Sequence, residues 1–232
     1  MNKTTNQNSQ NSFKKDTDIK STVPLVAKVL TAEEQAALTP EIVLQSLKDG
    51  NKRFMNNQIT ARDYSAMVRN SANGQYPKAV ILSCLDSRIP VEDVFDNGIG
   101  DIFVARVAGS IINEDILGSM EYGCKVSGAK LVVVMGHSEC GAVKSAIDNV
   151  QLGNITALLK KIQPAVDSTT STEGNKSSKN KEYVDRVCKK NVELTIQNIR
   201  NRSVILRDME KNGEIKMVGA VYDVATGKVT FL

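Results

Sequence analysis

The run Leu131-Val-Val-Val-Met-Gly-His-Ser-Glu-Cys-Gly-Ala-Val143 decides how this chain is read. Leu131 to Met135 is apolar without a break, at strand length. It lacks the polar alternation of a strand with one wet face, so it is predicted to be covered on both sides. Two further runs resemble it, Ala79 to Cys84 and Asp101 to Val107. Between the second and third runs the spacing predicts a helix over roughly Glu114 to Ser127. Its Leu117, Met120 and Cys124 share a face, and Gly128 is placed to stop it. Strand, helix and strand in alternation give an α/β fold, a mainly parallel β-sheet flanked by helices.

Working outward, Thr39-Pro40 is an N-cap followed by a first-turn proline. Val43, Leu47 and Phe54 then form a helical stripe. Order is predicted to begin there. Residues 1–37 read as a polar N-terminal tail or arm, either a disordered leader or a segment that packs on a partner subunit. Residues 38–232 read as one domain. After Cys140 the chain is predicted helical to about Val166. Residues 168–181, rich in Ser, Thr, Asn and Lys, read as a solvated loop, and Glu182 to about Lys211 as helix. Met217 to Val224 and Lys228 to Leu232 flank Ala225-Thr226-Gly227 as a β-hairpin.

Composition narrows the function. The 232 residues are 41% hydrophobic and 24% charged, which suits a folded domain. A net charge of +4, no Trp and 4% aromatic residues argue against nucleic acid as partner. No apolar run approaches the roughly 18–20 residues that cross a bilayer, so no membrane partner is expected. Four cysteines are too few for a disulfide framework. The polar start lacks the apolar core of a signal peptide, which places the chain in the cytoplasm as written. A periplasmic or secreted location follows instead if a signal peptide has been removed. The single histidine, His137, limits any mechanism to one imidazole.

Two short segments carry the chemistry: Cys84-Leu-Asp-Ser-Arg88 after the first apolar run, and His137-Ser-Glu-Cys140 after the third. Both lie at the carboxyl ends of parallel strands, where open α/β sheets place ligands. In an extended segment Cys84, Asp86 and Arg88 face the same way. Two thiolates and an imidazole suit Zn²⁺ in tetrahedral geometry, with Asp86 as a fourth ligand in a closed state. Arg88 is the partner for a released Asp86, which would leave an open position for a water of lowered pKa. Singly, each residue has a plainer structural reading; together they point to a zinc site. Cys124 and Cys188 have no such company and read as structural, either free or joined to each other.

Cys-x-Asp-x-Arg with His-x-x-Cys about fifty residues on resembles the β-class carbonic anhydrases. So do Ala79 to Pro90, Val104-Ala-Arg-Val-Ala-Gly109, Glu121-Tyr122 and Val134 to Val143. The likeness runs from about Thr39 to the C-terminus. It implies an obligate homodimer that can pair further into a homotetramer. It implies Zn²⁺ held by Cys84, His137 and Cys140, with the Asp86–Arg88 dyad as gate and orienter. The implied reaction is the reversible hydration of CO2 to bicarbonate and a proton, by attack of zinc-bound hydroxide. In a pocket built from both subunits, Gln75, Phe103, Tyr122 and Gly109 would meet substrate. Two positions depart from relatives. Ile81 stands where members inhibited by bicarbonate carry Trp, which favours an open site at neutral pH. Val107 stands where many relatives carry Asn.

With His137 used as a ligand, no histidine remains to export protons, so turnover is expected to depend on buffer. Three other readings compete with CO2 hydration. CS2 or COS hydrolysis would use the same centre. A non-catalytic zinc scaffold would keep Asp86 bound, which the adjacent Arg88 disfavours. A thiol-redox protein is disfavoured by the lack of a Cys-x-x-Cys.

Overall fold

The computed structural model describes residues 24–170 and 176–232. Five strands form one sheet in the order β2-β1-β3-β4-β5. They are β1 (Ala79–Ser83), β2 (Ile102–Arg106), β3 (Leu131–His137), β4 (Lys216–Tyr222) and β5 (Val229–Phe231). The pairs β1–β2, β1–β3 and β3–β4 are parallel, and only β4–β5 is antiparallel, the expected terminal hairpin. Ser83 lies level with Arg106 on one side and Met135 on the other. The carboxyl ends of β1, β2 and β3 therefore finish along one rim.

The helices are α1 (Ala32–Ala36), α2 (Pro40–Met55), α3 (Tyr64–Ser71), α4 (Val91–Val94) and α5 (Glu114–Glu121) in the first half. The second half adds α6 (Gly141–Ile147), α7 (Gly153–Leu159), α8 (Gln163–Ser168), α9 (Lys181–Arg202) and α10 (Val204–Lys211). All seven residues of β3 are buried, as an unbroken apolar run requires. On one face Ile81, Val133 and Met135 pack with Val43, Leu47, Phe95, Ile162 and Tyr183. On the other, Val80, Leu82, Val132 and Val134 pack with Leu117, Met120, Cys124, Leu206 and Met209. The long helix α9 serves both cores, through Val184 and Val187 in one and Val192, Ile196 and Ile199 in the other.

The predicted helices differ in their ends. The helix from Glu114 loosens into a π-turn over Tyr122–Val126 before Gly128, whose φ of +80° stops it. The stretch after Cys140 is three short helices, because Asn149 and Gly153 turn the backbone left-handed and Pro164 opens a new first turn. The stretch to Lys211 breaks at Ser203, an extended residue whose hydroxyl caps α10 at the Leu206 N–H, 3.1 Å away.

Order also begins before Thr39. Val26 bridges to Arg62, and Thr31 with Glu34 forms a capping box for α1. Gln35 is buried and donates to the carbonyls of Pro77 and Ser127, each at 2.7 Å. Sequence pattern does not reveal this anchor, because it is one amide that serves two distant carbonyls. Residues 1–23 of the arm lie outside the described residues. So do residues 171–175 of the expected loop, which is flanked by the last turn of α8 and the start of α9.

Candidate metal centre

Cys84 follows the last residue of β1, His137 ends β3, and Cys140 is the N-cap of α6. Parallel pairing of adjacent strands puts the first two side by side. Glu139, at φ +58°, folds the chain back so that Cys140 joins them. The two sulfurs and a ring nitrogen of His137 all lie within 4.8 Å of one another, and all three residues are buried.

The imidazole is held in one sense. Nδ1 donates to the Ser138 carbonyl at 2.9 Å, which leaves Nε2 as the lone-pair nitrogen. Nε2 is buried and has no hydrogen-bond partner. A buried polar atom left this way costs about 1–3 kcal/mol. Facing two thiols, it fits the third donor of a tetrahedral Zn²⁺ site that keeps one position open. The sulfurs are already polarised against each other. Hydrogen bonding from Cys140 outweighs burial and, with the Gly109 N–H, holds Cys84 well below the usual thiol range, while the same contact and burial push the Cys140 thiol up.

Asp86 and Arg88 reach the centre by a different route from the one expected. The chain leaves β1 after Ser83, so strand alternation no longer applies. Asp86 instead forms a turn in which its Oδ1 accepts from the Arg88 N–H at 3.0 Å. The guanidinium closes a two-bond fork, Nε to Oδ1 at 2.9 Å and Nη2 to Oδ2 at 2.7 Å. Arg88 thereby holds the Asp86 carboxyl well below the usual carboxylate range. Asp86 Oδ2 lies 4.0 Å from His137 Nε2, beside the three donors and tied to arginine.

The family model for carbonic anhydrases matches residues 79–229, the span from β1 into β5. The chain belongs to the β-carbonic anhydrase family. It is 35% identical to a carbonic anhydrase of Mycolicibacterium smegmatis over 196 residues, 82% of this chain and 92% of that protein. It is 32% identical to carbonic anhydrase 2 of Mycobacterium tuberculosis over 195 residues, covering 82% and 91%. Its fold is similar to the β-carbonic anhydrase of Coccomyxa, with a TM-score of 0.65 at 23% identity, covering 82% of this chain and 84% of that one.

Within this β-carbonic anhydrase chain the sequence-predicted residues fall into two groups. Cys84, Asp86, Arg88, His137 and Cys140 meet at the rim, and Gly109 joins them by donating its N–H to Cys84 Sγ at 3.4 Å. Gln75, Phe103 and Tyr122 lie apart. Phe103 and Tyr122 line an open groove of about 700 Å³ along β2 and α5, with Val80 and Ile116. Gln75 and Tyr122 line a recess of about 340 Å³ beside α1. The metal-ligand trio lines neither.

Sequence reasoning missed Arg106, whose Nε and Nη2 donate to the carbonyls of Cys84 and Asp86 at 3.0 and 2.5 Å. Its position as the one basic residue inside the Asp101 to Val107 run, at the end of β2, was the available signal. All four cysteines are free thiols. Burial pushes Cys124 and Cys188 up to about 12, and Cys188 donates to the His137 carbonyl at 3.3 Å.

Proposed function

We propose that this chain catalyses the reversible hydration of CO2 to bicarbonate and a proton at a Zn²⁺ centre held by Cys84, His137 and Cys140. The observation that carries the reading is the buried, unpartnered His137 Nε2 facing two thiols, with a carboxylate parked beside it on an arginine. Bound there, Zn²⁺ would supply Lewis acidity that brings the pKa of a water toward about 7.

The chain's own residues supply the rest. The two cysteines, once ionised, balance the charge of the cation, and the Nδ1 bond to Ser138 keeps the imidazole aimed. Asp86 stays ionised and, from its place beside the donors, accepts a hydrogen bond from the attacking water and sets its direction. Arg88 keeps that carboxylate from taking the open position itself. The one histidine is committed as a ligand, so the proton leaves to buffer. Gln75, Phe103 and Tyr122 serve the pocket of a second copy, because they line a surface away from their own chain's donors. Relatives of similar fold from Sordaria macrospora are described as tetrameric, which fits such shared pockets.

The test is stopped-flow CO2 hydration on zinc-loaded protein at about pH 8.5. Fast turnover that chelation abolishes and zinc restores is expected. Stoichiometric zinc without turnover overturns the proposal.

A further inference from the structure

Asn191 lies in the middle of α9, buried between Cys188 and Val192 on a stripe that is apolar apart from it and Thr195. Its Nδ2 donates to the Gly109 carbonyl at 2.8 Å. Gly109 in turn donates its N–H to Cys84 Sγ at 3.4 Å. The Gly109 loop has little other freedom. It takes a left-handed φ of +73°, and a Cβ there would come within 2.5 Å of Ile162 Cδ1. The Ser110 hydroxyl donates to the Met135 carbonyl at 2.8 Å on the far side. A helix in the core is thus linked through one amide and one glycine to a sulfur of the metal centre.

We infer that Asn191 is a positioning residue for that centre: it pins the Gly109 loop so that the backbone N–H remains on the Cys84 sulfur. Such a bond orients the sulfur and withdraws part of the charge it would otherwise give a cation. Partners of this kind commonly change metal affinity about 10–100-fold when removed. The inference rests on the metal-centre reading above.

The experiment uses the full chain loaded with Co²⁺, which shows a near-ultraviolet thiolate-to-metal charge-transfer band. Wild-type protein without that band would refute the metal centre itself. With the band present, Asn191→Ala is expected to shift it and to weaken Co²⁺ retention against a chelator by roughly 10-fold or more. Asn51→Ala is the control for structural loss. Asn51 is as deeply buried, but its amide donates to the carbonyls of Val94 and Gly227 in another part of the fold. It should lower stability with band and retention unchanged. If Asn191→Ala does not fold, Asn191→Ser decides, since a hydroxyl is too short to span the same distance. An unshifted band with retention within twofold of wild type, in whichever variant folds, overturns the inference.

Discussion

Asp86 is poised between two partners, arginine at 2.7 Å and the donor trio with His137 Nε2 at 4.0 Å. It is not needed to complete the three-donor set, so Asp86→Ala should keep near-stoichiometric zinc while kcat/KM falls about 10²–10⁴-fold, the range for a positioned acid–base group. Metal analysis beside stopped-flow rates checks both halves, and loss of zinc in step with activity would contradict it. Asp96 shows what a carboxylate does for stability. Its side chain is fully buried, and burial alone would raise its pKa. Arg53, Thr60 and Arg62 outweigh that and hold it at about 2. A depressed folded pKa gives stability that is complete above the unfolded value of 3.8 and is lost as pH falls from about 4 toward 2. The amount is about 2 kcal/mol. Asp96→Asn should cost about 3–5 kcal/mol near neutral pH, because Arg62 is left buried with backbone carbonyls but no carboxylate to balance its charge. Urea midpoints at fixed protein concentration, at pH 7 and across pH 4 to 2, test the cost and the missing acid component together.

At the scale of elements, the contact that matters to the site is α9 on β3. Gly136, one residue before the candidate ligand His137, has no side chain where Cys188 and Val192 come down on the sheet. A Cβ would meet Cys188 Sγ and Val192 Cγ2, both at 2.8 Å. Both neighbours are buried, so α9 must move, and with it Asn191 and the Cys188 bond to the His137 carbonyl. Gly136→Ala is therefore expected to destabilise by about 1–3 kcal/mol. It should also weaken zinc retention. Thermal or urea unfolding together with chelator competition checks the pair, and a stability loss with unchanged retention would separate α9 packing from the centre. Periodicity found α9 but not its purpose. Nothing in the sequence pattern singles out Asn191, because the carbonyl it serves lies 82 positions away.

For the whole molecule, the outer edge of β2 is the exposed feature with consequences. Among the described residues no strand pairs with it, and Ile102 to Ala105 are only half-buried. Beside it Phe103 and Tyr122 line an apolar groove. An open apolar strand edge invites cover by another chain, and a second copy would also bring those side chains to a neighbouring metal centre. On the proposed shared pocket, Phe103→Glu should lower the sedimenting mass and reduce turnover at least 10-fold. An unchanged mass with normal activity would contradict an interface at this edge.

The sequence by itself determined the α/β class, the three parallel strands and the zinc-type donor set. Apolar runs report burial directly, and Cys, His, Asp and Arg at strand ends have few other uses together. It also located Thr39-Pro40 and Gly128 as helix boundaries, because capping is local chemistry. Only the tertiary structure decided the rest. Asp86 pairs with Arg88 through a turn rather than strand alternation, since the strand ends at Ser83. Gln35 is an anchor rather than part of a loose arm. Gln75, Phe103 and Tyr122 are separated from their own chain's ligands. Arg106 and Asn191 support the centre from 22 and 82 positions away from the groups they hold. Hydrogen bonds to backbone carbonyls leave no periodic trace, because any residue can supply the acceptor; which carbonyl is in reach depends on how the elements pack.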